Sequence, residues 1–325
     1  MLCKPQKIER RDIFPDGKMI IKMNELMQLT LRNLKIYLRD KTAVFFSLLT
    51  MLIVIVLMLV FLGDMNVNSI AGVLDEFGAQ GSRSNKENAE LLLLWWTIAG
   101  IISINAVTIT LSSITTMIND AAGQRLQSFY TTPVSRLKIA MGYLISAWLS
   151  SVIICVLTFV IAEIYAVMQG SEMLSVSVHL QVAGMIAINS FTYSALMYAL
   201  ALVIKSEAAW SSLGTIIGVL VGFLGAIYIP MSGLPEGVQS FLKCLPVLHG
   251  TAMFRSVICE AYVNDAFKGV SSDIISGVKE DLGITVTIGD RVCGEYIQLA
   301  ILLCCGIIFL ALSGIVMKRK SNGGK

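Results

Sequence analysis

Few residues of this 325-residue chain have the type and spacing that chemistry needs. Glu163 is the only acidic residue inside a long apolar stretch, and an intramembrane carboxylate is a functional candidate by default. It lies about 36 Å from the start of its stretch at 1.5 Å per helical residue. We therefore interpret Glu163 as a structural residue near the membrane interface. The two histidines, His179 and His249, are far apart in sequence and have no metal-ligand spacing.

The seven cysteines contain one candidate disulfide. Cys259 and Cys293 flank a polar segment that a bridge between them would close, although sequence alone does not fix connectivity. The chain has no phosphate-binding G-x-x-x-x-G-K-[ST] loop, no H-E-x-x-H zinc motif and no G-x-S-x-G hydrolase motif. We therefore predict no catalytic residue, no metal site and no cofactor in this chain.

The elements that carry these residues are strongly apolar. Hydrophobic residues make up 55% of the chain and charged residues 14%, against roughly 25% charged in a soluble domain. A helix of about 20 apolar residues spans a bilayer, where the backbone must satisfy its own hydrogen bonds. Six uncharged runs have this length: Thr42–Leu62, Leu91–Ile118, Ile139–Ala162, Leu180–Ile204, Ala208–Ile229 and Tyr296–Met317. The sequence predicts an all-α polytopic membrane protein, with six transmembrane helices over residues 42–317.

Basic residues are unevenly distributed around these runs. The flanks on the side of both termini hold 18 Lys and Arg residues, and the flanks on the opposite side hold 7. Basic flanks favour the cytoplasmic side. We therefore expect both termini to be cytoplasmic, including residues 1–18 and the tail 318–325. The net charge of +3 reflects this bias and not nucleic-acid binding.

Two segments flank the first apolar run. Residues 19–41 have apolar side chains three or four positions apart and basic side chains on the other face, which predicts an amphipathic helix at the membrane interface. The apolar set is Ile20, Met23, Met27, Leu31, Leu34 and Leu38. The alternative is a packed helix of a small cytosolic domain. Residues 63–90 are polar and acidic, and we expect them to be a poorly ordered external loop.

The last external segment, residues 230–295, is too long for a plain connection. Its first half is apolar but is interrupted by Pro230, Pro235 and Pro246, so its helices are too short to span a bilayer. Such a segment enters the outer leaflet and returns, sheltered by protein. We expect external re-entrant helices before the last span, followed by a small polar lobe over Asn264–Glu295.

Gly214, Gly218 and Gly222 repeat every four residues in the fifth apolar run. Small residues on one helix face allow another helix to approach closely. This face is suited to an interface with another subunit or to packing within the same chain. The sequence leaves both interpretations open.

The segment 119–136 connects the second and third runs and contains the amphipathic stretch GQRLQSFYTTPVSR. Asn119 or Asp120 is expected to cap a short helix that continues to Tyr130. Thr132 as the N-cap and Pro133 at the first helical position are expected to start the third span.

The apolar side of this short helix holds Leu126, Phe129 and Tyr130. One interpretation is a helix that lies in the headgroups with its apolar side in lipid. The other is a docking element for a cytoplasmic partner. The residues alone favour neither.

Three stretches, taken in order, resemble the membrane subunits of ABC-2-type exporters, the permease partners of ATP-binding cassettes. LRNLKIYLRDKTAVFFSL is similar to the interfacial helix of that family. GQRLQSFYTTPVSRLKIAMGYL is similar to its cytoplasmic coupling segment, with matches at Gly123, Arg125, Leu126, Thr132, Pro133, Ser135 and Arg136. YIPMSGLPEGVQSFLKCLPVLHGTAMFRSV is similar to its external re-entrant pair, with matches at Pro230, Leu234, Pro235, Val238, Leu242, Pro246, His249 and Arg255. Family members often have an acidic–basic pair just before the coupling glycine, whereas NDAAG offers only Asp120.

The resemblance implies a permease that couples ATP hydrolysis in two copies of a separate ATP-binding subunit to substrate export. ATP and Mg would be bound by those subunits. A second permease chain, identical or a similar paralogue, would complete the path in a bacterial plasma membrane. Leu126, Phe129 and Tyr130 would dock on the ATP-binding subunit, and Arg125 would add a charged contact.

Two other functions are compatible with the composition. A secondary transporter would need ionisable residues near the midplane or broken spans in matching halves, and neither is evident. A membrane sensor would use its external lobe and would need no ATPase. A co-purifying ATPase distinguishes the permease from both.

Overall fold

The computed structural model describes residues 24–57, 63–77, 82–131, 133–204, 206–289 and 291–322. The helices in these ranges are α1 Glu25–Arg39, α2 Lys41–Leu57, α3 Gly63–Phe77, α4 Ser82–Ala122, α5 Arg125–Tyr130, α6 Arg136–Met168, α7 Val176–Val203, α8 Glu207–Leu224, α9 Glu236–Leu242, α10 Pro246–Ile258, α11 Glu260–Ala266, α12 Ser272–Asp281 and α13 Glu295–Asn322. Strands β1 Val286–Ile288 and β2 Arg291–Cys293 form an antiparallel hairpin. The predicted segment 1–18 and the first residues of the amphipathic helix lie outside these ranges.

Five of the described helices are long and apolar enough to cross a membrane. They are Ser84–Ala122, Arg136–Met168, Val176–Val203, Glu207–Leu224 and Glu295–Arg319. They match the second to sixth predicted spans. A span can be recognised from its own run of about 20 apolar residues, without knowing what packs against it. The first predicted span corresponds to α2, whose run continues into residues 58–62, outside the described residues. A sixth crossing therefore stays a prediction.

Helix α4 is the centre of the bundle. Its 41 residues give it a length of about 60 Å at 1.5 Å per residue. It packs against α6, α7, α8 and α10 along the bundle, and Trp95, Ile98 and Ile102 are fully buried. A helix that is apolar on all sides belongs in the interior, and α4 supplies the core around which the other spans pack.

Polar side chains link neighbouring spans. Ser151 of α6 and Ser190 of α7 are hydrogen-bonded through their hydroxyls at 2.8 Å. Asn105 of α4 donates to the Thr158 hydroxyl of α6 at 3.2 Å. Trp210 of α8 donates to the Thr115 hydroxyl of α4 at 2.9 Å. Interhelical hydrogen bonds of this kind stabilise membrane bundles by about 0.6 kcal/mol each on average.

Helix α8 leaves one side of the bundle open. Ile216 and Val219 are 55% and 59% exposed. A Cβ added at Gly218 would meet nothing within 4 Å. In contrast, a Cβ at Gly214 would lie 3.2 Å from Leu111, and one at Gly222 would collide with the Tyr228 ring. The glycine repeat therefore serves packing within the chain at its two ends, and its central member faces outward.

The expectation of a poorly ordered loop over residues 63–90 is wrong for most of that segment. Helix α3 occupies Gly63–Phe77, and α4 already begins at Ser82. Val67, Ile70, Ala71 and Leu74 are buried where α3 packs on α4. The helical spacing of these four residues could have predicted α3, but they lie among many polar residues.

Helix α1 packs through polar residues and leaves part of its apolar face exposed. Thr30, Asn33 and Tyr37 are buried where α1 meets α6 and α4. Met27 and Leu38, from the predicted apolar face, are 53% and 37% exposed. This arrangement suits an interfacial helix, since the apolar side remains available to lipid.

The segment before the last span folds into short helices and the β-hairpin. Nearly all of α10 is buried, because it packs against α4, α13 and α7. The Cys259–Cys293 disulfide is not formed: both are buried free thiols. Cys259 packs in the main core and Cys293 in a smaller cluster under the hairpin, so the hairpin is held by packing and not by a bridge. The re-entrant placement in the membrane stays a prediction.

Candidate functional site

The connection between α4 and α6 differs locally from the sequence expectation. Neither Asn119 nor Asp120 caps a new helix, because α4 continues to Ala122. Gln124 then takes a φ of 58° and starts α5, a left-handed conformation that is uncommon outside glycine. Gly123 has a negative φ, but a Cβ there would lie 3.2 Å from the Asn119 carbonyl oxygen. The sharp turn fixes the direction of α5 relative to α4.

Asp120 is the central polar residue of this site and is only 2% exposed. The Arg32 guanidinium donates to both of its carboxylate oxygens, at 2.6 and 3.0 Å. Tyr143 of α6 donates its hydroxyl to the same carboxylate at 2.7 Å. Such bidentate, charge-assisted contacts fix geometry as well as adding energy. Arg32, Asp120 and Tyr143 thus join α1, α4 and α6 at one end of the bundle, which we name the α5 end.

The apolar residues of α5 face the chain itself. Leu126 is half-buried and lines a cavity between the ends of the spans. Phe129 is half-buried under Arg32, whose guanidinium carbon lies 5.1 Å from the ring centroid, within range of a cation–π contact. Only the remaining exposed part of each side chain is available to a partner. The side chain of Tyr130 lies outside the described residues.

The other side of α5 is polar and open. Gln124, Arg125, Gln127 and Ser128 are exposed, and the Arg125 side chain is 71% exposed. Arg125 also lies 3.7 Å from the Asp120 carboxylate. Arg125 is therefore more accessible to a partner than Leu126 or Phe129.

Helix α6 starts three residues later than the sequence suggested. Ser135 is the N-cap and accepts a hydrogen bond from the Lys138 amide at 3.3 Å, so Arg136 is the first helical residue. Pro133 precedes the cap in an exposed turn, and Thr132 lies outside the described residues. A serine cap satisfies a backbone donor, as the threonine was expected to do. Lys138 also pairs with Glu25 of α1 at 2.8 Å.

The opposite end of the bundle, which carries α9 to α12 and the hairpin, is named the lobe end. Arg255 of α10 is completely buried there. It donates to the Leu282 carbonyl at 3.1 Å and to the Ala226 carbonyl at 2.9 Å. Its guanidinium carbon lies 3.8 Å from the Trp96 ring centroid. Burial lowers the pKa of Arg255 to about 9, which leaves it charged at neutral pH.

The other predicted residues of the lobe end have structural roles. Pro246 is the first residue of α10, Pro235 precedes α9, and Pro230 precedes a single 3-10 turn. His249 donates through Nε2 to the Lys243 carbonyl at 2.9 Å. Burial lowers the pKa of His249 despite this bond, so its imidazole is neutral at physiological pH.

Glu163 and His179 form a pair that sequence separation concealed. The His179 Nε2 lies 2.7 Å from the Glu163 carboxylate, which also accepts from the Leu174 amide at 3.1 Å. These contacts connect the end of α6 to the start of α7. They support a structural role for Glu163. In the described part of the chain, no three His, Cys, Asp or Glu residues are grouped to hold a metal ion.

The fold and this site together define a class of protein. The chain is a predominantly helical integral membrane protein with several candidate spans, and the short helix α5 packs at one end of the bundle. Residues 88–315 match the family described as ABC-2 family transporter protein. The chain therefore belongs to the ABC-2 transporter family, as a permease subunit that lacks ATPase activity itself. No curated protein matches the chain.

Proposed function

We propose that this chain moves a substrate outward across a bacterial plasma membrane, with α5 as the contact that receives the work of ATP hydrolysis. ABC-2 permeases work with ATP-binding cassette subunits, which bind the ATP and Mg. Two such subunits and a second permease chain, identical or a similar paralogue, complete the transporter. Six spans are inferred from the six apolar runs, and cytoplasmic termini from the bias in basic residues.

The anchoring of α5 carries this proposal. Its apolar side is held by Arg32 and by the ends of the spans, while its polar side is open. A force on the open side therefore passes through Asp120 into α1, α4 and α6. Nucleotide binding by the partner would shift the population between two arrangements of these helices.

Two arginines lie close to the Asp120 carboxylate, and each of the two arrangements could pair Asp120 with one of them. Arg32 makes the close contacts, and Arg125 lies 3.7 Å from the same carboxylate. Arg125 belongs to α5, so a small shift of α5 would strengthen one ion pair as it weakens the other. The acidic residue then stays compensated in both arrangements, avoiding the cost of an unpaired buried charge.

The test adds bulk to the open side of α5. Ser128→Trp should reduce recovery of the co-expressed ATP-binding subunit at least about tenfold, the equivalent of about 1.4 kcal/mol, and should abolish transport-stimulated ATP turnover. Ser276→Trp, on the exposed side of α12 at the lobe end, is the matched control and should recover the subunit normally. Leu126→Ala/Phe129→Ala should also weaken recovery, because α5 loses its anchor. Full recovery and turnover with Ser128→Trp would reject docking through this side.

A further inference from the structure

The imidazole of His179 lies between two hydrogen-bond acceptors. Its Nε2 is 2.7 Å from one Glu163 carboxylate oxygen, and its Nδ1 is 2.9 Å from the Ser175 carbonyl oxygen. A neutral imidazole has one N–H donor and one nitrogen lone pair, whereas an imidazolium has two donors. Beside an ionised carboxylate, a neutral ring would therefore turn a lone pair toward an acceptor oxygen at hydrogen-bond distance.

The observed arrangement is favourable only when Glu163 and His179 share an additional proton. That proton either makes His179 an imidazolium or sits on Glu163 and is donated to Nε2, and the two groups titrate as one unit. The Phe159 ring packs edge to face on the imidazole at a centroid distance of 5.6 Å. Two other titratable groups lie nearby: Glu172, exposed in the turn between α6 and α7, and Tyr262, which faces this turn from α11.

The same carboxylate closes the turn between α6 and α7. Its second oxygen accepts from the Leu174 amide at 3.1 Å. We name the contacts of Glu163 with Leu174 and His179 the α6–α7 clasp. Earlier in the turn, the Ser171 hydroxyl accepts from the Trp95 indole at 2.9 Å and is hydrogen-bonded to the Tyr262 hydroxyl at 2.6 Å. The turn is thus held by α6 on one side and by the lobe end on the other.

We propose that Glu163 and His179 together bind one proton that closes the α6–α7 clasp, so that the clasp responds to acidity. When the proton leaves, the carboxylate faces the Nε2 lone pair. Glu163 is then a negative charge at 7% exposure with no cation of the described chain beside it, which is unfavourable. The carboxylate turns toward water, and Leu174 loses its acceptor. The stabilisation is therefore complete at low pH and is lost as the pH rises.

The location of the clasp indicates which side of the membrane it senses. With the cytoplasmic termini proposed above, α6 ends outside, so the clasp responds to external acidity. The contacts of Arg255 do not involve the clasp, and the lobe end keeps its packing when the turn is released. Proton binding is a property of the purified chain, so its failure would leave the proposed transport function untouched.

The first test is amide hydrogen exchange of the full-length chain in detergent at about pH 6 and about pH 9, on either side of the ordinary histidine titration near 6.5. The exchange rate of the peptide that contains Leu174 is divided by the intrinsic rate at each pH. This ratio should rise about tenfold toward the higher pH, because a charge-assisted hydrogen bond is lost. A peptide from the buried helix α10 is the internal reference. An unchanged ratio around Leu174 would overturn the proposal.

The second test removes the need for the proton. Glu163→Gln and His179→Gln should each abolish the pH response, because a neutral amide donates or accepts without titrating. Glu172→Gln, the same charge change at an exposed position of the turn, and His249→Gln, at the other histidine, are the matched controls and should retain it. If one clasp variant does not purify as a folded protein, the other decides. A full response in a folded clasp variant, or loss of the response in a control, would reject the assignment of the proton to Glu163 and His179.

Discussion

At the α5 end, Arg32 meets the carboxylate of Asp120, whereas at the lobe end Arg255 is buried with no acidic partner among the described residues. The first arginine remains 30% exposed, and its charge is balanced. The second is fully enclosed and is held by two backbone carbonyls and the face of Trp96. Arg32 thus forms an ion pair between helices, whereas Arg255 fixes the turns after α8 and α12 to α10.

The Arg32–Asp120 ion pair can therefore rearrange, whereas the contacts of Arg255 cannot. If the members of an ion pair with partial access to water move apart, water still solvates them. Asp120 also has Arg125 as a second positively charged partner. Arg255 would leave the carbonyls of Ala226 and Leu282 without its donors if it moved, and buried unsatisfied groups are costly. The comparison assigns movement to the α5 end and rigidity to the lobe end.

The largest effect should come from Arg255→Ala. The change removes two hydrogen bonds and the stacking on Trp96, and it leaves a cavity, so the free energy of unfolding should fall by about 3–5 kcal/mol. The fraction of monodisperse protein after heating, measured by size-exclusion chromatography in detergent, reports the loss.

Two further variants sharpen this prediction. Arg255→Met keeps most of the bulk without any donor, so it should lose less stability than Arg255→Ala. Lys268→Ala, exposed on the same end, should unfold at the temperature of the unaltered chain. If Arg255→Ala matched Lys268→Ala, the lobe end would not be held by this arginine.

A smaller but still clear effect is expected from Asp120→Asn. The neutral amide is a weaker acceptor for Arg32 and Tyr143, and the free energy of unfolding should fall by about 1–3 kcal/mol. A double-mutant cycle with Arg32→Gln should give a coupling energy of about 1 kcal/mol or more, because the two side chains act as one unit. Additive effects of the two changes would show that the ion pair does not connect α1 to α4.

The sequence predicted the spans better than the contacts that connect them. Apolar runs are local, so the second to sixth spans have counterparts in α4, α6, α7, α8 and α13. The basic partner of Asp120 lies 88 residues away in α1, and no local pattern shows it. The ABC-2 resemblance, which the family match confirms, drew attention to Arg255. Its acceptors are backbone carbonyls, which no side-chain pattern encodes.

The exposure of the residues proposed to dock a partner was predicted less well than the position of their helix. Leu126 and Phe129 were expected to be free for a partner because nothing nearby in sequence covers them. The structure covers Phe129 with Arg32, which comes from a helix that the sequence indicated only as an interfacial element. A short amphipathic pattern thus locates an apolar side, but it does not show which distant element packs on it.

The smallest effect should come from the exposed pair at the α5 end, Lys138 and Glu25. Their side chains are 44% and 48% exposed, and exposed ion pairs contribute about 0–1 kcal/mol because water and salt screen them. Glu25→Gln should therefore lower the unfolding temperature only slightly, and the difference should vanish in high salt. The Asp120–Arg32 pair is more enclosed, so the effect of Asp120→Asn should persist in the same salt. The measurement is a heating series of both variants at low and high salt. A Glu25→Gln effect as large and as salt-resistant as that of Asp120→Asn would mean that α1 is held along its whole length, and that Asp120 is not the point about which the α5 end rearranges.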